Sequence, residues 1–118
     1  MTLTEQVFAQ AVLLTGELDD RQRDLLSLLC LAATSSLSTR LREGLTPEDC
    51  RADFVAAASL YALASLAEAD EMAQMESFTA GDVTIRRGKS NAAAQCLRYQ
   101  AEMIISPYMK DRFAFMGV

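Results

Sequence analysis

Residues 46–76 form the longest segment without an internal helix breaker, and their apolar positions lie on every side of a helix. Thr46 and Pro47 are typical of a helix start, and Glu48 and Asp49 place negative charge where the helix dipole is positive. No glycine follows until Gly81, so the pattern predicts one helix of about 30 residues. At 100° per residue, the large apolar side chains surround the helix axis: Phe54, Val55, Leu60, Tyr61, Leu63, Leu66 and Met72. A helix that is apolar all round is a buried helix, so this segment is predicted to be the core of a small helical domain.

This core helix is also rich in alanine, which lets neighbouring helices approach closely. The alanines are Ala52, Ala56, Ala57, Ala58, Ala62, Ala64 and Ala67. Ser59, Ser65 and the acids at each end interrupt the apolar run, so we expect it to be too short for a membrane span.

Two helices are predicted before the core helix. The first is capped by Thr2 or Thr4, is ended by Gly16 and has one apolar face, formed by Leu3, Val7, Ala11 and Leu14. The second runs from Asp19 or Asp20 to about Arg42, with its stripe at Leu25, Leu26, Leu29, Ala32, Ala33, Leu37 and Leu41. Leu28 and Leu31 project off that stripe and are predicted to touch a further helix or another subunit.

The periodicity changes after the core helix. Val83 and Ile85 alternate with polar Thr84 and Arg86 between glycines, which predicts a short β-like arm over about 77–89. Such an element is marginal by itself in water, so the arm needs a partner surface. Its cations, Arg86, Arg87 and Lys89, are predicted to pair with acids in the same chain or on a neighbouring subunit.

A last helix is predicted to begin at Ser90 or Asn91. Its apolar face comprises Ala92, Ala93, Cys96, Tyr99, Met103 and Ile104, and its polar face comprises Gln95, Arg98 and Glu102. An extended apolar tail over about 107–118 follows. Phe113 and Phe115 in this tail either touch a neighbouring molecule or fold back over the end of the bundle.

Composition favours one cytoplasmic domain over residues 1–118. The net charge of −5 argues against wrapping DNA or anionic lipid by phosphate neutralisation. The N-terminal residues lack the basic region of a secretory signal. Cys30, Cys50 and Cys96 have neither zinc-site nor disulfide-framework spacing, so they are predicted to be buried thiols. Tyr61, Tyr99 and Met103 are predicted to lie in the core as well.

The sequence offers little catalytic chemistry. It contains no histidine, which excludes the serine–histidine and cysteine–histidine nucleophile pairs and histidine metal sites. Gly88-Lys89-Ser90 resembles the end of a phosphate-binding loop, but the upstream glycine is missing. Glu68 and Glu71 have the i, i+3 spacing of metal-binding carboxylates, yet a solvated acidic helix end explains them better. No catalytic residue, cofactor or metal site is predicted.

The layout resembles the head–tail connector (adaptor) proteins of long-tailed bacteriophages and their prophages. The resemblance covers about residue 18 onward and rests on the alanine-rich helix followed by Gly81-Asp82-Val83-Thr84-Ile85, and on the closing Phe113-Ala-Phe115-Met116-Gly117-Val118. It implies a non-enzymatic α-helical subunit that forms a ring, dodecameric in the virion, beneath the portal protein. Such a ring extends the DNA channel and offers a platform for the next head-completion or tail protein.

The resemblance also implies residue roles and a location. Leu28, Leu31, Val83 and Ile85 would pack between subunits, Arg86, Arg87 and Lys89 would pair across the seam, and Phe113, Phe115 and Met116 would dock into the portal. DNA would pass only as cargo, no membrane would be bound, and the protein would move from the host cytoplasm into the virion.

Two alternatives remain open from the residues. One is a small cytoplasmic regulatory or scaffold protein that binds a partner helix in a groove. The other is a metal-dependent helical-bundle nucleotide hydrolase that uses Glu68 and Glu71.

Overall fold

A computed structural model describes the backbone of residues 2–75 and 80–109 and the side chains of residues 2–70 and 92–109. Within these residues the chain forms four α-helices: α1 (Leu3–Thr15), α2 (Asp20–Arg40), α3 (Arg51–Met75) and α4 (Ala80–Ile105). Two 3-10 turns, Pro47–Cys50 and Ser106–Tyr108, precede α3 and follow α4. The predicted all-α class, with about four helices, is confirmed.

The predicted starts of the first two helices are confirmed by reciprocal capping hydrogen bonds. The Thr2 hydroxyl accepts from the Glu5 N–H, and the Glu5 carboxylate accepts from the Thr2 N–H, both at 3.1 Å. Asp19 and Gln22 form the same arrangement, with 2.7 Å from the Gln22 N–H to the Asp19 carboxylate. Gly16 ends α1 as predicted, with a φ of 82° that favours glycine.

The segment that begins at Thr46 is helical to Met75, which confirms the predicted core helix, although its first turn is 3-10. At this start Asp49 is the acceptor: its carboxylate takes hydrogen bonds from the Thr46 N–H at 2.8 Å and the Thr46 hydroxyl at 3.1 Å. Every residue from Phe54 to Asp70 is buried or half-buried. The all-round apolar pattern therefore does correspond to a helix that is surrounded by others.

Helix α3 is the centre of the bundle, since α1, α2 and α4 all pack on it. Helix α2 is antiparallel to α3, and the Gln22 side chain donates to Asp70 at 3.3 Å. Helix α4 is also antiparallel to α3, and Tyr108 beyond its end donates to Asp53 at 2.6 Å. Helices α1 and α2 contact each other as well. The core contains Val7, Ala11, Leu26, Cys30, Leu37, Phe54, Ala57, Ala58, Ala62, Ala101 and Ile105.

By length and composition alone, the span Pro47–Asp70 is long and apolar enough to cross a membrane. The expectation that it is too short for this was therefore wrong. Core helices of soluble proteins meet the same two conditions, and three helices cover this one.

The predicted β-like arm was wrong for the residues that can be compared. Helix α4 begins at Ala80, ten residues before the predicted start, so residues 80–89 are helical; residues 77–79 lie outside the described part. The alternation of Val83 and Ile85 covers only two apolar positions. It is outweighed by a helix that continues from the alanine-rich turn at residues 92–94, since extending a helix costs far less than nucleating one.

The predicted buried face of the last helix was also wrong, except for Ile104, which is half-buried against the core. Tyr99 and Met103 are 66% and 60% exposed, and Cys96, Ala92 and Ala93 are exposed with them. Helix α4 instead buries Ala94, Ala101 and Ile105. The small side chains of Ala94 and Ala101 allow α4 to pack closely against α3. Arg98 and Glu102, which were predicted to lie on a polar outer face, instead form ion pairs with residues of the neighbouring helices.

Other core predictions divide in the same way. Cys30 and Cys50 are buried as predicted, whereas Cys96 is not. In α1, Val7 and Ala11 are buried, but Leu14 is exposed.

The predicted tail lies mostly outside the described part, from residue 110 onward. Its first residues are packed on the bundle rather than extended: Met109 is 3% exposed and forms an isolated antiparallel bridge with Leu41. The Arg42 N–H donates to the Tyr108 carbonyl at 2.8 Å. The end of α4 is therefore fastened to the end of α2.

Candidate functional site

A groove with a volume of about 210 Å³ lies between α2 and α3. We call it the α2–α3 groove. Most of its lining residues belong to α2: Leu29, Ala32, Ala33, Ser36, Leu37 and Arg40. Helix α3 contributes Tyr61 and Ser65.

Small side chains on two neighbouring helices leave the space that forms the groove. Ala32 and Ser36 are one turn apart on α2, and Tyr61 and Ser65 are one turn apart on α3. Ala32, Ala33, Ser36 and Ser65 do not fill the space that leucines would fill, while Leu29 and Leu37 keep the walls apolar. The lining therefore suits an apolar group rather than a charged one.

One end of the groove is polar and joins three helices. Arg40 of α2 donates from Nη2 to both carboxylate oxygens of Glu102 in α4, at 3.0 and 3.2 Å. The Tyr61 hydroxyl of α3 donates to Glu102 Oε1. Two donors thus converge on one carboxylate, which fixes the three helices relative to one another at this end.

A second ion pair lies farther along α3. Arg98 of α4 pairs with both carboxylate oxygens of Glu68, with 2.8 Å between Arg98 Nη1 and Glu68 Oε2. The hydrogen bond from Arg98 lowers the pKa of the Glu68 carboxyl below its usual value. Both side chains are more than a third exposed, so solvent screens the pair strongly.

We expect Glu68→Gln to lower the free energy of unfolding by about 0.2–1 kcal/mol at pH 7. Because the folded-state pKa of Glu68 is lowered, the stabilisation is present above the unfolded pKa of about 4.3 and disappears as the pH falls through the folded value. Urea unfolding of the variant and the parent at pH 7 and pH 3 measures this, and the difference should shrink at pH 3. Glu43→Gln, at an exposed position for which the structure gives no ion pair, is the control. An equal difference at both pH values would contradict the assignment.

Three potential nucleophiles among the described side chains have pKa values raised away from reactivity. Burial raises the pKa of the Cys30 thiol to about 11, and burial with nearby Asp49 and Asp53 raises that of Cys50. Burial and the hydrogen bond to Glu102 raise the pKa of the Tyr61 hydroxyl. These three groups stay protonated at neutral pH and favour a structural role.

The metal-site alternative finds little support in these residues. Among the described side chains, no group of three or more acidic residues or cysteines could hold a metal ion. The Glu68 carboxylate is engaged by Arg98, and the Glu71 side chain lies outside the described part.

The predicted interface and docking residues fall into three groups: exposed residues of α2, residues within α4, and residues outside the described part of the chain. Leu28 and Leu31 are 65% and 55% exposed on α2, so no further helix of the described part covers them. Five more lie within the backbone range of α4: Val83, Ile85, Arg86, Arg87 and Lys89. Phe113, Phe115 and Met116 lie outside the described residues. Leu28 is one turn from Ala32 and therefore lies beside the α2–α3 groove.

Sequence reasoning missed the groove and the exposed apolar pair on α4, Tyr99 and Met103. A signal for the pair existed in the helical spacing of Ala94, Arg98, Ala101 and Ile105, which defines a face opposite Tyr99 and Met103. The groove has no comparable signal, because its lining combines side chains of two helices that are distant in the sequence.

The described part of the chain thus offers an apolar groove, a three-helix polar junction and exposed apolar side chains on two helices. No protein-family model, no curated protein and no solved structure matches this chain.

Proposed function

We propose that this chain is a structural subunit of a phage head–tail connector, which assembles into a ring beneath the portal protein. The ring extends the DNA channel, with DNA only as passing cargo, and offers a platform for a head-completion or tail protein. In this proposal the subunit is made in the host cytoplasm and ends in the virion.

The observation that carries the proposal is the presence of unpartnered apolar side chains on two different helices. Leu28 and Leu31 lie on the outward side of α2, and Tyr99 and Met103 lie on the outward side of α4. A ring needs two unlike surfaces on each subunit, so that one copy contacts the next head to tail. Helices α2 and α4 pack separately on α3 and can supply one surface each.

Two further features support an assembly role over catalysis. Three potential nucleophiles, Cys30, Cys50 and Tyr61, have raised pKa values, and the groove is lined mainly by apolar side chains. Val83, Ile85, Arg86, Arg87 and Lys89 stay candidates for the seam between subunits. They would act from the N-terminal turns of a helix instead of from a β-like arm.

The test is ring formation by the purified chain, measured by light scattering during size-exclusion chromatography and by electron microscopy. We expect closed rings, alone or with purified portal protein as a template. The double variant Leu28→Asp, Leu31→Asp should weaken subunit association by at least about 100-fold, because each buried leucine contributes roughly 1.5–3 kcal/mol.

The matched control is Leu13→Asp, Leu14→Asp, which changes two exposed leucines of α1 that have no role in the proposal. It should leave ring formation unchanged. Absence of closed rings both with and without the portal would contradict the connector proposal. Undiminished portal binding after replacing Phe113, Phe115 and Met116 by alanine would contradict the portal-docking assignment alone.

A second candidate function is favoured by the α2–α3 groove. A small regulatory or scaffold protein could hold an apolar partner helix there without forming rings. That function predicts a monomer or dimer at every concentration and no affinity for a portal, so the same experiment separates the two.

A further inference from the structure

We infer that the α2–α3 groove of one copy of this chain receives the exposed apolar pair of α4, Tyr99 and Met103, from a neighbouring copy. This contact rests on the proposed function, because it is the joint between one subunit and the next in a head-to-tail assembly.

The groove and the α4 pair match in size and spacing. Ala32 and Ser36 line the groove one helical turn apart, and the exposed Tyr99 and Met103 are one helical turn apart on α4. A cavity of about 150 Å³ holds benzene, and the groove has about 210 Å³, so a phenol ring fits with room for its hydroxyl. Helices pack by inserting the large side chains of one into the gaps on the other, and small residues widen those gaps.

The groove also offers partners for the polar part of Tyr99. A tyrosine that becomes buried needs a hydrogen-bond partner for its hydroxyl. Ser36 and Ser65 both line the groove, and a serine hydroxyl can donate one hydrogen bond and accept others. The apolar side chains of Leu29 and Leu37 suit the aromatic ring itself.

The distribution of charge favours a second copy as the occupant. Copies of a chain with a net charge of −5 repel one another, so they associate most easily through surfaces without unpaired acids. Residues 25–39 of α2 include no charged residue. The two charged residues of the segment 92–109, Arg98 and Glu102, form ion pairs within their own molecule. Both surfaces of the contact therefore avoid this repulsion.

The exposed leucines of α1 suit the groove less well. Leu13 and Leu14 are consecutive, so they are about 100° apart around the helix and cannot enter one groove together. Three acids follow them within six residues: Glu17, Asp19 and Asp20. The α4 pair has neither disadvantage.

Two variants test the contact by complementation. The groove variant, Ala32→Asp with Ser36→Asp, places charge in the groove at two exposed positions and leaves the α4 pair intact. The α4 variant, Tyr99→Asp with Met103→Asp, does the reverse. In sedimentation velocity over a range of concentrations, we expect the parent chain to associate and each variant alone to stay monomeric. Their equimolar mixture should form a dimer and nothing larger, since it contains one intact groove and one intact α4 pair that can meet.

The control for the added charge is Leu13→Asp with Leu14→Asp, which changes two exposed side chains outside both surfaces. It should associate like the parent. Circular dichroism verifies that every variant is folded.

A fluorescent reporter shows whether residue 99 enters the groove. The sequence contains no tryptophan, so Tyr99→Trp in the groove variant gives a single fluorophore. Adding the α4 variant should shift its emission to the blue and weaken its acrylamide quenching several-fold. Adding a chain that carries both the groove and the α4 substitutions should change neither.

Self-association of the groove variant equal to that of the parent would mean that the α4 pair contacts a different surface, and would overturn the inference. A mixture that stays monomeric, or a parent that stays monomeric at every concentration, would also overturn it. Closed rings without complementation would overturn the inference and leave the proposed function in place. Complementation with only open assemblies, with or without portal protein, would support the inference and contradict the proposed function.

Discussion

Phe54→Ala is expected to lower the free energy of unfolding by about 3–5 kcal/mol. Phe54 is fully buried at the start of α3, in the cluster shared by all the helices. Removing its ring loses both the transfer free energy of the side chain and the contacts around the resulting cavity. A small domain has only about 5–15 kcal/mol to lose, so the midpoint of thermal unfolding should fall by more than about 10 °C.

Urea and thermal unfolding followed by circular dichroism measure this effect. Leu28→Ala is the control, since it also removes a large apolar side chain from a helix, but from an exposed position. We expect that variant to stay within about 0.5 kcal/mol of the parent protein. Equal losses for both variants would show that burial does not determine the effect.

Ala62→Leu is expected to lower the free energy of unfolding by about 1–3 kcal/mol, in spite of adding apolar surface. Ala62 is almost fully buried in α3, where the small side chain lets a neighbouring helix approach. Leucine has nearly the helix propensity of alanine, so the loss would come from packing alone. The added side chain must displace a neighbour or adopt a strained rotamer.

The control is Ala52→Leu, which makes the same change at an exposed position near the start of α3. We expect almost no change in its unfolding free energy. An unfolding free energy for Ala62→Leu equal to that of the parent would contradict this prediction. It would mean that the core has unfilled space beside Ala62.

The sequence predicted the elements that local chemistry determines. The capping residues Thr2 and Asp19, and the absence of any glycine between Thr46 and Gly81, defined where helices begin and continue. The all-round apolar pattern of residues 46–76 identified the central helix, because only a helix with neighbours on every side can bury such a surface.

Helix α4 could not be oriented from its sequence. Its large apolar side chains, Tyr99 and Met103, lie on the face opposite Ala94 and Ala101, and both faces have helical spacing. The choice depends on Glu68 and Glu102, which engage Arg98 and Arg40 across helix junctions, and such partners are distant in the sequence.

The candidate site was predicted only in part. Leu28 and Leu31 were identified because they project off the stripe of α2, which is a local property. The α2–α3 groove and its Arg40–Glu102–Tyr61 junction arise from three separate helices, so no single segment contains a signal for them. The prediction of a β-like arm was wrong because it rested on two alternating apolar residues, Val83 and Ile85. So short a pattern does not outweigh the tendency of a helix to continue.

All the described polar links between α2 and α4 lie at one end of the bundle: Arg40 with Glu102, Leu41 with Met109, and Arg42 with Tyr108. The other end of α2 is linked instead to α3, by the hydrogen bond from Gln22 to Asp70. Loss of the Arg40–Glu102 pair would therefore release α4 from α2 while leaving the packing of each of these helices on α3 in place.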